Sequence, residues 1–119
     1  MAYFTHAQND NKDLFYQAGA YSTDRGRTFQ LIDGGHPLLA NQGFDRGERD
    51  PKIFWHAPSN NWVLILWIKR ANKKQLKKGS ENRDDLGKVR FFSSTDLKNW
   101  KKLSDFDRKW VYECMDLVE

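Results

Sequence analysis

Two short segments, residues 22–29 and 94–100, constrain the fold of this chain more than any other feature. Each begins with hydroxyl side chains, continues with an aspartate and ends on an aromatic residue, as Ser-Thr-Asp-Arg-Gly-Arg-Thr-Phe and Ser-Thr-Asp-Leu-Lys-Asn-Trp. Asp can hydrogen-bond its own backbone in a turn, and Gly26 can supply a positive φ. The second copy lacks the glycine and is one residue shorter. The pair therefore predicts an internal repeat in which a turn joins two strands.

Strand patterns surround both turns. Aromatic and β-branched residues favour strands. The run 62–68, Trp-Val-Leu-Ile-Leu-Trp-Ile, is apolar throughout and follows a turn, which predicts a strand buried on both faces, with a buried helix as the alternative. Strands are predicted at residues 3–4, 14–22, 29–32, 52–56, 62–68, 88–94, 100–103 and 110–118.

This order of strands and turns predicts an all-β fold. The first turn segment is similar to the Asp-box turns that connect strands in many β-propellers, so Asp24 is interpreted as a turn residue rather than a catalytic one. The chain is expected to form about two propeller blades of four antiparallel strands each. Residues 1–48 would form part of one blade, and residues 49–119 the following blade and the start of the next. Two blades leave sheet edges unpaired, so we expect a fragment of a larger propeller and consider self-association possible.

The composition of the chain argues against a nucleic-acid partner and against a membrane-spanning segment. The net charge of +4 is too small to indicate a nucleic-acid partner by itself. The lysine-rich stretch 69–78 could neutralise phosphates, but its position between two strands favours a solvated loop, with two helical turns possible at 71–78. No apolar run approaches the length of a membrane span.

The residues that could bind a metal ion do not predict a metal site. The histidines, His6, His36 and His56, and the single cysteine, Cys114, show no metal-ligand spacing, and no cofactor is predicted. The N-terminal residues lack the pattern of a signal peptide. The localisation of the parent protein therefore stays open.

A carboxylate is held next to a proline at the start of a predicted strand, in the run Arg-Asp-Pro-Lys-Ile-Phe-Trp of residues 49–55. Pro51 fixes its own φ and is expected to keep Asp50 extended. An enzyme that needs a carboxylate in a set position would use such a site. Taken alone, however, a carboxylate before a proline is usually only part of a turn.

A second candidate carboxyl group lies near the end of the chain. Glu113 stands between Tyr112 and Cys114 and shortly after Trp110. Apolar surroundings raise the pKa of a glutamic acid and keep it protonated near neutral pH, as a general acid requires. Glu113 is therefore a candidate proton donor.

The two motifs together resemble signatures of glycoside hydrolase family 32, which includes invertases, levanases and inulinases. The first is residues 49–55, and the second is Tyr-Glu-Cys-Met-Asp-Leu at residues 112–117, where Met115 stands in place of the family's proline. The resemblance implies a five-bladed catalytic propeller and retaining cleavage of fructosyl linkages in sucrose or in fructans such as levan and inulin. It also implies that Glu113 is the acid/base and that Asp50 stabilises the transition state.

The resemblance extends to neighbouring residues. It implies that Arg49 orients the site or binds the sugar, and that Cys114 is a small buried side chain beside the acid. Trp55 or Trp110 could stack on a sugar face, although an aromatic residue in a β-protein is more often part of the core. The predicted substrate-binding residues are therefore Arg49, Trp55 and Cys114.

The family's nucleophile, which lies in a segment of the type Trp-Met-Asn-Asp-Pro-Asn-Gly, has no match in this chain. Asn9 and Asp10 reproduce only the Asn-Asp pair. The chain is therefore expected to carry two of three catalytic carboxylates and to be inactive in isolation. The alternative is a non-catalytic carbohydrate-binding or assembly module derived from that propeller.

Overall fold

The computed structural model describes residues 1–7, 14–69, 87–108 and 114–116. Their strands form two antiparallel sheets, which confirms the all-β prediction. The first sheet has the order β1 (Ala2–Ala7), β2 (Phe15–Tyr21) and β3 (Gln30–Leu31), and the second has the order β4 (Glu48–His56), β5 (Asn61–Lys69), β6 (Gly87–Ser94) and β7 (Lys101–Arg108). Two short 3-10 helices, Ile32–Gly35 and Ala57–Ser59, follow β3 and β4.

Most predicted strands are present, with changed boundaries. The run 62–68 lies in β5, so the helix alternative is wrong. Strand β4 begins at Glu48, earlier than expected, and β7 extends to Arg108. In the described part of the chain the first sheet has three strands rather than four. The last of these strands, β3, contains only two residues before the chain turns into the first 3-10 helix.

Two predicted features fall wholly or mostly outside the described residues. Nearly all of the basic stretch 69–78 lies there, including the helical turns expected at 71–78. Most of the closing strand expected at 110–118 lies there as well. Its described residues, 114–116, adopt a bend and irregular structure rather than a strand.

Strand β5 organises the core because both of its faces are covered. Along the strand, side chains alternate between the two faces of the sheet. One face packs toward the first sheet in a cluster of buried residues: Leu39, Leu64, Leu66, Ile68 and Phe92. The opposite face forms a second cluster around Val63, Ile65 and Val89. These contacts confirm that residues 62–68 form a strand buried on both sides.

The two aspartate turns have the expected local chemistry. Asp24 accepts the backbone N–H groups of Arg27 at 3.0 Å and Thr28 at 2.9 Å. Asp96 accepts those of Lys98 at 2.9 Å and Asn99 at 2.7 Å. Hydrogen bonds lower the pKa of both carboxyl groups. The pKa of Asp24 falls to about 2, mainly through the hydrogen bond from the Thr28 hydroxyl, and the pKa of Asp96 is lowered mainly by the backbone N–H of Asn99. Both aspartates therefore stabilise their own turns.

The same described residues contain neither a membrane-spanning helix nor a metal-binding cluster. No helix among them has the length and apolar character needed to cross a bilayer. No cluster of three or more His, Cys, Asp or Glu side chains in the described ranges could hold a metal ion.

Candidate functional site

Asp50 lies in a β-bulge near the start of β4. The pairing of β4 with β5 shifts between Arg49 and Lys52, and Asp50 has a φ of 59°, in the left-handed region. The prediction that Pro51 keeps Asp50 extended is therefore wrong. The bulge imposes a backbone conformation that Asp tolerates better than most residues. Such a bulge turns the carboxylate away from the regular alternation of the strand.

The first sheet holds the backbone of Asp50 in place. Its N–H donates to the hydroxyl oxygen of Thr5 in β1 at 3.2 Å. That hydroxyl in turn donates to the side-chain oxygen of Gln17 in β2 at 2.8 Å. Because Gln17 is fully buried, this chain of hydrogen bonds anchors the bulge to the interior of the neighbouring sheet.

The segment 114–116 is docked against the second sheet beside Asp50. The backbone N–H of Cys114 donates to Oδ2 of Asp50 at 3.2 Å. Met115 packs against the cluster on the outer face of β5, and Asp116 pairs with Lys52 at 3.1 Å. Two distant parts of the sequence therefore meet at the carboxylate of Asp50.

Of the two residues of the Glu-Cys pair, the structure describes only the second. Glu113 lies outside the described residues. Cys114, which follows it directly, is exposed and has a free thiol. The prediction of a buried cysteine is wrong, because the irregular segment 114–116 crosses the surface and reaches Asp50 through its main chain.

Arg49 packs on an aromatic ring of the adjacent strand. Its guanidinium carbon lies 4.7 Å from the ring centroid of Trp67, which is the residue opposite it in β5. Such a cation–π contact attracts the guanidinium to the face of the ring and restricts the long side chain. The guanidinium of Arg49 is therefore held against β5, next to the bulge that contains Asp50.

Glu48 introduces a third carboxyl group at this end of β4. Its side chain is fully buried, and its Oε2 accepts the backbone N–H of Gln42 at 2.7 Å. Burial is the main effect on its pKa, which it raises to about 7 against the lowering effect of this hydrogen bond. Glu48 therefore lies next to Arg49 and Asp50 with a proton affinity far above that of an ordinary glutamate.

Trp55 lies apart from these residues. It is five positions beyond Asp50 in β4, about 16 Å at the rise of a strand. Its ring is 43% exposed and packs edge-to-face on Trp62, with the centroids 5.2 Å apart. The structure therefore brings together Arg49, Asp50 and Cys114, and leaves Trp55 at the other end of the strand.

Three contributors to the site were missed by the sequence analysis: Thr5, Glu48 and Trp67. Trp67 had a usable signal, since it lies in the predicted strand 62–68 that follows the Asp50 motif. Glu48 had a weaker one, a carboxyl group directly before the motif. Thr5 had none, because its contact with Asp50 depends on how the two sheets pack.

The geometry defines what the described part of the site can do. A carboxylate offers about four acceptor positions, and the N–H of Cys114 occupies one of those on Asp50. The remaining positions suit the hydroxyl groups of a ligand, and a charged acceptor makes the stronger kind of hydrogen bond. Asp50 and Arg49 together therefore form a polar site fixed by both sheets.

Comparison with known proteins gives a consistent result. The model of the glycosyl hydrolases family 32 N-terminal domain matches residues 1–119. An extracellular exo-inulinase of Aspergillus awamori is 30% identical over 121 aligned residues, which cover 94% of this chain and 20% of the relative. A levanbiose-producing levanase of Bacillus subtilis is 33% identical over 99 residues, covering 82% of this chain and 16% of the relative.

A solved structure extends this similarity to the fold. The crystal structure of exo-inulinase from Aspergillus awamori aligns with a TM-score of 0.62 and 25% identity, over 88% of this chain and 20% of that chain. This match confirms the propeller-type all-β fold predicted from the sequence. The chain spans about a fifth or less of the length of these relatives. With the family model matched from residue 1 to residue 119, the chain belongs to glycoside hydrolase family 32 and represents part of its N-terminal domain.

Proposed function

We propose that this chain supplies part of the sugar-cleaving site of a retaining glycoside hydrolase that acts on fructosyl linkages. Asp50 would stabilise the transition state, and Glu113 would be the acid/base. The observation that supports this is the 3.2 Å hydrogen bond from the Cys114 N–H to the Asp50 carboxylate. It brings the residue that follows Glu113 to Asp50, although 64 positions separate Cys114 and Asp50 in the chain.

Each residue would have a distinct role in that reaction. Glu113 would protonate the oxygen of the leaving group and then activate water, as retention requires of the acid/base. Asp50 would accept hydrogen bonds from hydroxyl groups of the fructosyl ring, and these would strengthen as positive charge develops on the ring. Arg49 would orient the site or bind the sugar from its position on Trp67.

The other two predicted substrate-binding residues would act differently from the first expectation. Cys114 would contribute its main-chain N–H, which orients the Asp50 carboxylate, rather than its thiol. The exposed ring of Trp55 would stack on a sugar unit distant from Asp50. The substrate class is a fructose-containing oligosaccharide or polysaccharide, consistent with relatives named exo-inulinase and levanase. Self-association through sheet edges stays a prediction.

Binding to a fructan provides the first test. Titration calorimetry with an inulin-type oligosaccharide should detect binding that Asp50→Asn weakens roughly 10- to 100-fold, since the lost hydrogen bonds involve a charged acceptor. The control is Asp33→Asn, which changes an exposed aspartate that lies 3.7 Å from Lys98. Equal affinity in both variants and the unaltered chain would contradict the role of Asp50.

Turnover separates the proposed role from the alternatives. The chain alone should release no fructose from sucrose, levan or inulin, because the sequence has no match to the family's nucleophile segment. Robust turnover that Glu113→Gln abolishes would show that the chain is catalytically sufficient. Binding that survives both Asp50→Asn and Glu113→Gln would instead favour a non-catalytic carbohydrate-binding module.

A further inference from the structure

The segment that leads into the β4 bulge, residues 41–47, connects the two sheets and is called the entry loop below. Phe15 in β2 donates its backbone N–H to the carbonyl of Asp45 at 3.1 Å. Lys69 in β5 donates its backbone N–H to the carbonyl of Gly47 at 2.6 Å. The entry loop is therefore bound to both sheets immediately before the bulge begins.

The side chain of Glu48 closes the entry loop from inside the protein. Its Oε2 accepts the N–H of Gln42 at 2.7 Å, and the carboxyl group also accepts the N–H of Phe44. Its Oε1 has no hydrogen-bond partner among the described residues. Because the side chain is fully buried, ionisation would place a negative charge where solvent cannot reach it.

Charged groups face Glu48 from the loop and from β6. Asp45 in the entry loop raises the pKa of Glu48 through like-charge repulsion, and Arg90 in β6 lowers it. The residue opposite Glu48 in β5 is the uncharged Ile68. Burial outweighs the effect of Arg90, so Glu48 takes up a proton more readily than a solvated glutamate.

The limited effect of Arg90 has a structural reason. Its Nε and Nη2 donate to the two carboxylate oxygens of Asp105 in β7 at 2.7 and 2.9 Å. Lys88 also donates to Asp105, at 2.8 Å. The guanidinium of Arg90 is therefore already matched to a carboxylate and is not a dedicated counter-ion for Glu48.

We propose that Glu48 is a positioning residue for Asp50: its buried carboxyl group accepts the N–H groups of the entry loop and so fixes the loop and the bulge that follows. The importance of Asp50 for sugar cleavage rests on the proposed function above. The coupling between Glu48 and Asp50 does not rest on that function, because it follows from the contacts of the entry loop.

The coupling acts over a short distance. Glu48 is two residues before Asp50, and the register shift of the bulge begins directly after Arg49. Ionisation strengthens the hydrogen bonds from the loop N–H groups, but it also leaves charge on Oε1, which is buried and has no hydrogen-bond partner among the described residues. A change in the charge of Glu48 therefore changes the contacts of the entry loop, and the change reaches the backbone of Asp50 through Arg49.

Nuclear magnetic resonance tests this coupling without an activity assay. The amide signals of Gln42, Phe44, Asp50 and Cys114 would be followed from pH 5 to pH 9. All four should shift with one common midpoint near the pKa of Glu48, about 7. In Glu48→Gln, which keeps the acceptor oxygen but cannot ionise, the shared shift should disappear while the loop stays closed.

Two further variants sharpen the test. Asp45→Asn should move the common midpoint to lower pH, because it removes a charge that raises the pKa of Glu48. Glu48→Leu should displace the loop signals at every pH, because it removes the acceptor. The proposal is overturned if the Asp50 and Cys114 signals do not follow Glu48, or if the shared shift persists in Glu48→Gln. Neither result would affect the sugar-cleaving roles proposed for Asp50 and Glu113.

Discussion

At the scale of single residues, Glu48 makes the stability of the chain depend on pH. Its pKa is raised from 4.5 to about 7 in the folded state. Between these values the folded chain holds a proton that the unfolded chain releases, so stability falls as pH rises through this window and levels off above it. Glu48→Gln should therefore unfold at higher denaturant concentration than the unaltered chain at pH 8, by up to about 3 kcal/mol.

The same variant should show almost no advantage near pH 4, where Glu48 is neutral in both states. Urea unfolding at pH 4, 6 and 8 measures the difference. Asp33→Asn serves as the control, since Asp33 is exposed and forms a 3.7 Å contact with the exposed Lys98. A Glu48→Gln advantage that is constant across pH would contradict the buried, titrating carboxyl group.

The resemblance to a known family, rather than residue identity alone, assigned the Arg-Asp-Pro and Glu-Cys motifs to one site, and that assignment stays a prediction. In the structure, Asp50 and Cys114 are joined by a hydrogen bond. The conformation of Asp50 was not predictable from Pro51, because the local preference for extended backbone yields to a bulge set by pairing with β5. The exposure of Cys114 likewise depends on the path of an irregular segment.

At the scale of elements, the two aspartate turns differ in what they support. The aromatic residue that ends the first turn, Phe29, is 54% exposed. The one that ends the second, Trp100, packs against the core cluster between the sheets, and the hydroxyl of Tyr3 donates to the carbonyl of Leu97 within that turn. Similar sequences therefore form turns with different importance for tertiary structure.

This difference predicts unequal effects of the same substitution. Asp96→Ala should lower the melting temperature more than Asp24→Ala, because loosening the second turn also disturbs Trp100 and Tyr3. Asp96→Asn should recover part of the loss, since an amide oxygen can accept some of the same bonds. Thermal unfolding followed by circular dichroism measures both effects. Equal losses in the two alanine variants would contradict the distinction.

The pH dependence of these turns has the opposite sign to that of Glu48. Hydrogen bonds from the backbone and side chain of Asn99 hold the pKa of Asp96 well below its usual range. The stabilisation by this carboxylate is therefore present at neutral pH and is lost as the solution becomes strongly acidic. The difference between Asp96→Ala and the unaltered chain should narrow below pH 3.

The local sequence pattern predicted the central strands of the second sheet correctly. Strand β5 was predicted from its apolar run, and β6 from the strand pattern of residues 88–94. Strand β3 was overpredicted, because the turn toward the first 3-10 helix ends it after Leu31. The ends of elements depend on tertiary contacts that a local pattern does not contain.

At the scale of the whole molecule, the two sheets share one buried cluster, and this sharing could not be read from either sheet's sequence. Leu39 lies between the sheets: it is 6% exposed, forms a bridge with Gln17 of β2, and packs with the cluster that includes Leu64. The hydrogen bond from Asp50 to Thr5 crosses the same boundary. The position of the site therefore depends on the packing of one sheet on the other.

If the sheets unfold as one unit, a cavity at Leu39 should weaken both. Leu39→Ala is expected to cost about 2–4 kcal/mol through lost apolar contacts and the cavity left behind. Leu103→Ala is the matched control, because Leu103 is 53% exposed and its truncation should have little effect. Amide hydrogen exchange should show protection falling together in β2 and in β5, since one cooperative unit opens as a whole. Protection lost in β2 but kept in β5 would mean that the second sheet is stable without the first, and that Asp50 is positioned by β4 and β5 alone.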